Sequence, residues 1–345
     1  MSPRSAILIC PGRGTYNAAE LGWLGRYFPD PALLADFDRL REKAGQPPLS
    51  ALDSTAGFSL SRHGRGDNAS GLIYAATYGD LLSIDPAKVR IVAVTGNSLG
   101  WYSALACAGA VSPLDGFRIV NTMGGLMHEA MIGGQSLYPW MAGDWVADPS
   151  RRNHLLELIA GLAARDGHAL HLSIDLGGML VLAGNEAGLT AFEAAVPAVE
   201  GRFPMRLAHH AAFHTPLQQP VAERGREALP AGLFGQPRHP LIDGRGAIWW
   251  PNASDPLALH DYTFGAQVVE PYDFTRAITV AAREFAPDLF ILAGPGTTLG
   301  GAVAQSLIRA NWTGLASRDD FRARQQANPI LVSMGIDEQR SMVAD

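Results

Sequence analysis

Cysteine is scarce in this chain of 345 residues: Cys10 and Cys107 are the only two, far apart and each inside an apolar run. That excludes a disulfide framework and predicts a reduced, cytoplasmic protein with both thiols packed inside. Long apolar runs are missing too, since none reaches the roughly 18 residues that a membrane span needs. The stretch 6–10 is stopped at once by Pro11-Gly12, too early for the core of a secretion signal. Nor does basic charge dominate. With 27 Lys and Arg against 33 Asp and Glu the formal net charge is −6, and scattered arginines offer no stripe to a phosphate backbone. Nucleic acid and membrane are therefore not expected as partners. Internal repeats, heptad arrays and low-complexity tracts are absent as well.

What remains is an ordinary globular composition, 47% hydrophobic and 17% charged, long enough for two lobes around a solvent-excluded site. Residues 6–10 read as a buried strand running into a tight Pro11-Gly12-Arg13-Gly14 loop. Helical spacing follows over 31–43 and 68–82, then a second strand over 89–94. Ser112-Pro113-Leu114-Asp115 joins an N-cap serine, a proline at the first helical position and an acid three residues after the cap, which predicts a helix to about residue 131. From 133 the pattern changes. Residues 138–146 read as extended, 151–165 as helix, 169–174 and 179–183 as strands and 186–199 as helix, a β-α-β-β-α insertion. A helix over 273–285 and a strand over 289–292, ending at Gly294-Pro295-Gly296, return to the style of the first lobe.

Gly96-Asn97-Ser98-Leu99-Gly100 is the sharpest chemical signal, a G-x-S-x-G between a strand and a helix. Such a corner lifts Ser98 as a nucleophile, while the N–H of Leu99 at the helix start can hold a developing oxyanion. A serine nucleophile needs a base. Of the ten histidines, His214 in Ala212-Phe213-His214-Thr215-Pro216-Leu217 is the candidate. The cluster His209, His210 and His214 has the spacing for a metal only on a helix with a further ligand elsewhere, and no H-E-x-x-H or cysteine pair supports one; no metal site is expected. An ordinary esterase would instead place its acid and histidine later, as Asp243 and His260 do, but that leaves the last strand and its loop unexplained. The glycine loops lack the full spacing of a dinucleotide site.

In order along the chain, Cys10-Pro11-Gly12-Arg13-Gly14, Gly96 to Trp101, Phe213-His214-Thr215-Pro216-Leu217-Gln218 and the last G-P-G resemble the motifs of the malonyl-CoA:acyl carrier protein transacylase family, which includes the acyltransferase domains of fatty-acid and polyketide synthases. The resemblance covers nearly the whole chain. It implies an α/β-hydrolase-like large subdomain (1–132 and 204–345) with an inserted ferredoxin-like small subdomain (133–203). It further implies a serine-dependent acyltransferase that binds no cofactor, uses acyl-CoA as substrate, and hands the acyl group from Ser98 to the phosphopantetheine thiol of an acyl carrier protein. His214 would be the base in both halves. Its orienting partner would be a main-chain carbonyl near Glu270-Pro271-Tyr272-Asp273-Phe274, or the Asp273 carboxylate as third member of a triad. The backbone N–H of Arg13 would complete the oxyanion site.

Several positions depart from the family pattern. Met123 stands where malonyl-specific members carry a carboxylate-binding arginine, which predicts a neutral acyl group in preference to malonyl. Asn97 and Trp101 replace the usual histidine and glutamate flanking the nucleophile, giving a bulkier and less charged entrance. Arg13 replaces a glutamine; turned inward it restores a cation for an acidic substrate, turned outward it meets solvent or a CoA phosphate. Two other readings use the same scaffold: a thioester hydrolase that clears carrier proteins, with water as acceptor, and a catalytically silent module that docks carriers.

Overall fold

The computed structural model describes residues 2–344. Its strands in chain order are β1 (Arg4–Cys10), β2 (Val89–Gly96), β3 (Gly134–Pro139), β4 (Leu170–Leu176), β5 (Met179–Gly184) and β6 (Met205–Arg206). They continue with β7 (Leu241–Ile242), β8 (Ile248–Trp249), β9 (Tyr272–Asp273), β10 (Leu289–Leu292) and β11 (Leu331–Ser333). Two sheets result, ordered β11-β10-β1-β2-β7-β8 and β6-β3-β5-β4-β9. Among the described residues no helix is long and apolar enough to cross a membrane.

The large sheet is parallel from β11 through β7, and only β8 runs antiparallel. Its centre is buried on both faces by helices, which is why residues 6–10 and 289–292 are unbroken apolar runs rather than alternating ones. From β1 the chain moves to β2 on one side and later to β10 on the other. A crevice therefore opens beyond the carboxyl ends of these strands, where open α/β sheets take their ligands. Cys10 pairs with Gly96, so the Pro11–Gly14 loop and the serine corner leave the sheet level with one another.

The small sheet begins as an antiparallel unit with the order β6-β3-β5-β4, the ferredoxin-like arrangement, carrying the helices Pro149–Ala163 and Glu186–Ala195. Two of its strands lie outside 133–203: β6, and β9, which adds parallel to β4. Strands of two residues carry no periodicity to read. The extended reading of 138–146 is also corrected. β3 stops at Pro139, and the N–H groups of Trp140 and Met141 both donate to the Gly178 carbonyl, turning the chain away. The lobes are tied by buried Asp175 on β4, which accepts from Arg152 at 2.6 Å and, across the cleft, from Arg309 at 2.5 Å and Thr275 at 2.7 Å.

Ser112 accepts from the Asp115 N–H at 3.1 Å and starts the helix Pro113–Ala130 as its sequence predicts. That helix crosses the helix Gly66–Ser83 very closely. A Cβ on Gly124 would stand 2.5 Å from the Ser70 hydroxyl, so only glycine fits at the crossing beneath the crevice.

Candidate active site

The turn after β2 is set by three close approaches. A Cβ on Gly96 would lie 2.2 Å from the Gly100 carbonyl oxygen, one on Gly100 2.1 Å from that of Cys10, and one on Gly12 2.7 Å from that of Asn97. Glycine at these positions lets the first loop, β2 and the helix Gly100–Cys107 meet around Ser98. Ser98 itself sits at φ +55, a left-handed conformation costly for a non-glycine residue and frequent at functional corners. Among the described residues, the N–H groups of Leu99 and Arg13 have no hydrogen-bond acceptor, which leaves both free for a ligand oxygen.

His214 is buried, also at a positive φ of 57, and its Nε2 lies 2.7 Å from the Ser98 Oγ. Its Nδ1 donates to the main-chain carbonyl of Gln267 at 2.7 Å. Burial pulls the imidazole down to about 4, with the Gln267 carbonyl pulling the other way, so the ring is neutral near pH 7. With the proton held on Nδ1 by a carbonyl, Nε2 presents a lone pair to the serine hydroxyl.

Gln267 is the site residue that sequence reasoning misses. Its side chain accepts from the Tyr102 hydroxyl at 3.1 Å and donates to the Ser98 carbonyl at 3.1 Å, while its own carbonyl holds His214. One signal does point to it. Gln267 lies in the short helix Ala266–Val269, and the residue whose N–H would take its carbonyl, four places on, is Pro271, which has none. The carbonyl is thus left free for a partner from another element.

Asp273 is not part of this set. Its carboxylate accepts from the Arg276 N–H at 2.7 Å as N-cap of the helix Phe274–Phe285, and the orienting carbonyl comes from Gln267 instead. Asp243 and His260 are not joined to Ser98 either: the first pairs with Arg245, and the second reaches the Leu229 carbonyl at 2.9 Å.

Beside Ser98 and His214 lies a small cavity of about 20 Å³, lined by Gly124, Met127 and Val268 among others. It adjoins a cleft of about 280 Å³ between the lobes, lined by Asn97, Gln135, Leu137 and Leu207 among others. Asn97 is therefore at the site. Trp101 is not at the entrance: it is fully buried, donates to Thr263 at 3.0 Å and meets the Tyr262 ring edge-on, because it points from the inner face of its helix into the core. Met123 is likewise outside the cavity. Its sulfur fills the slot left by Gly225 on the helix Gln219–Ala228, where a Cβ would stand 2.7 Å away. Met127, one turn on, is the residue that lines the cavity. Arg13 is half-buried and lines both spaces, its guanidinium donating to the Gly64 carbonyl at 3.0 Å.

No family model matches the chain. The malonyl CoA-acyl carrier protein transacylase of Salmonella typhimurium is 26% identical over 208 residues, 60% of this chain and 63% of that protein. The chain thus spans less than two thirds of the length of that curated relative. Among solved structures, the malonyl CoA-acyl carrier protein transacylase of Coxiella burnetii superposes with a TM-score of 0.74 at 16% identity, covering 99% of both chains. The fold is that of the malonyl-CoA:acyl carrier protein transacylases. A further structure with the transacylase fold is a malonyl-transacylase in complex with a type II polyketide-synthase acyl-carrier protein, with a TM-score of 0.70 at 20% identity, over 90% of this chain and 99% of that one.

Proposed function

We propose that the protein is a serine acyltransferase that takes an acyl group from acyl-CoA and delivers it to the phosphopantetheine thiol of an acyl carrier protein. The observation that carries this reading is the contact of 2.7 Å between Ser98 and a neutral, buried His214 whose other nitrogen is held by a carbonyl. In the first half-reaction the Ser98 oxygen attacks the thioester carbon and its proton passes to His214 Nε2. The C–S bond then breaks, and the departing CoA sulfur takes that proton. The second half reverses these steps with the carrier thiol. Leu99 and Arg13 N–H groups serve the oxyanion in both, and the cleft between the lobes admits the pantetheine arm. The likeness to transacylases, one of them seen bound to its carrier protein, supports the choice of acceptor.

The expectation of a neutral acyl group loses its ground, since Met123 does not reach the cavity. Intact-protein mass spectrometry after brief incubation with acyl-CoA and no acceptor tests the reading. A stoichiometric adduct that vanishes in Ser98→Ala and is discharged by holo-carrier protein is expected. Steady release of free acid with no carrier loading would make the protein a hydrolase, and no adduct with any donor would leave only carrier docking.

A further inference from the structure

Gly294-Pro295-Gly296 follows β10 and lines neither the cavity nor the cleft, yet it braces the first loop, which does. Gly294 stands at φ +82 and Gly296 at φ +76, where glycine is at ease. A Cβ on Gly294 would lie 2.7 Å from the Pro11 Cγ and 2.5 Å from the Thr77 Oγ1, and one on Gly296 2.5 Å from the Thr15 carbonyl oxygen. The two glycines thus bear on Pro11 and Thr15, and the Arg13 N–H lies between those contacts.

A carboxylate holds this brace. Asp80, on the helix Gly66–Ser83 and one turn beyond Thr77, is fully buried and accepts from the Gly294 N–H at 2.7 Å. Its other oxygen accepts from Arg340 at 2.6 Å, and Arg340 also donates to the Met334 carbonyl at 3.0 Å and lies over the Tyr27 ring, 4.1 Å from its centroid. Burial raises the Asp80 pKa to about 6, Arg340 pulling the other way, so the carboxylate is charged at pH 7. Desolvation of the two charges offsets most of their attraction, so the pair is a weak source of stability. An ionised oxygen does supply a short, strong bond to one N–H at a fixed place.

We propose that Asp80 is a positioning residue for the oxyanion: by fixing Gly294 it sets, through Pro11, the place of the Arg13 N–H. This rests on the acyl-Ser98 reading above. Asp80 lines neither the cavity nor the cleft and acts only through the two loops.

Time courses of Ser98 acylation, read by mass spectrometry over a range of acyl-CoA concentrations, separate two quantities. The final amplitude counts folded molecules, and the limiting rate constant reports the site. Removing an oxyanion donor costs about 10²–10³-fold in rate. Displacing one in Asp80→Ala should therefore lower the limiting rate constant by roughly tenfold, with the half-saturating donor concentration unchanged within about twofold, because the bond is made in the transition state. Asp80→Asn keeps an oxygen for the Gly294 N–H but loses the ion pair, and should return to within about threefold of the wild-type rate constant while being less stable. A reduced amplitude with a wild-type rate constant in Asp80→Ala is what a merely structural role predicts, and it overturns the proposal, as does an equal loss of rate in Asp80→Asn. Should Asp80→Ala not fold, Gly294→Ala carries the test, since its methyl group drives the loop against Pro11; a wild-type rate constant there overturns the proposal as well. Absence of any Ser98 adduct in the wild type would instead overturn the acyl-serine reading, and this proposal with it.

Discussion

On the serine side of the crevice, backbone meets backbone so tightly that no side chain fits at Gly96, Gly100 or Gly12. On the histidine side a local turn, closed by the Thr215 hydroxyl on the Ala212 carbonyl at 2.7 Å, carries the residue, but the ring is oriented from far off in the chain. His214 is placed by a carbonyl 53 residues further on, left free by a proline four places beyond it. One side is specified by a five-residue motif, the other by the meeting of two distant segments. A local motif is all-or-none under substitution, whereas a distant contact is graded.

The first way to test that contrast is to add one methyl group to the serine side. Gly100→Ala puts a Cβ 2.1 Å from the Cys10 carbonyl oxygen, a contact that can be relieved only by moving β1 or the helix. A loss of about 3–5 kcal/mol in denaturant unfolding, with Ser98 no longer acylated, is expected. A variant that keeps wild-type stability would mean that the corner can relax, and the two sides would not differ in kind.

Gln267→Ala tests the histidine side. The carbonyl that holds His214 survives, but the two side-chain bonds, to the Ser98 carbonyl and from the Tyr102 hydroxyl, are lost. Two neutral hydrogen bonds predict about 1–3 kcal/mol of lost stability and an acylation rate reduced by roughly tenfold, not abolished. Loss of all acylation in a folded protein would show that this side is as intolerant as the other.

A smaller effect concerns pH. Burial holds His214 neutral down to about 4 in the folded chain, against an ordinary value of 6.5. The base form therefore persists as pH falls through 6.5, and acylation by donor alone should hold its rate to about pH 5. Below that it declines. The same shift makes the folded state lose stability as pH drops from 6.5 towards 4, because the unfolded chain binds a proton that the buried ring resists. An acid limb centred at 6.5 or above would place His214 in a solvated setting that the geometry does not have.

The two sides also differ in how legible they are in the sequence. Ser98 is readable because the glycines around it answer a steric demand made within five residues. The ferredoxin-like unit is readable from helix and strand periods, apart from β6 and β9, which are too short to have a period. Met123 and Trp101 fail as site residues because the direction of a helical side chain depends on what faces the helix: the bare Gly225 draws one inward, and Thr263 with Tyr262 the other. Arg13 is ambiguous in sequence for the same reason. Its direction is set by segments far off in the chain, the Gly64 carbonyl and the Phe213 ring.

The mildest substitution bears on the same point. A carboxylate close to the segment that orients the histidine, Asp273 invites assignment to a triad, yet it caps a helix and accepts from the Arg276 N–H. Burial raises its pKa first, the N-cap bond opposing this, and the Arg276 N–H that it accepts from belongs to its own helix. Asp273→Ala should cost about 1 kcal/mol of stability, as other N-cap deletions do. Asp273→Asn, which keeps an oxygen for the cap, should cost less. Acylation of Ser98 should change by less than about twofold in either, since a lost cap leaves the Gln267 carbonyl in place. Removing a true triad acid costs far more, roughly 10⁴-fold in kcat where the asparagine exchange imposes the wrong tautomer. A fall beyond tenfold in Asp273→Asn with stability intact would therefore return Asp273 to the site, and His214 would depend on a neighbouring acid after all.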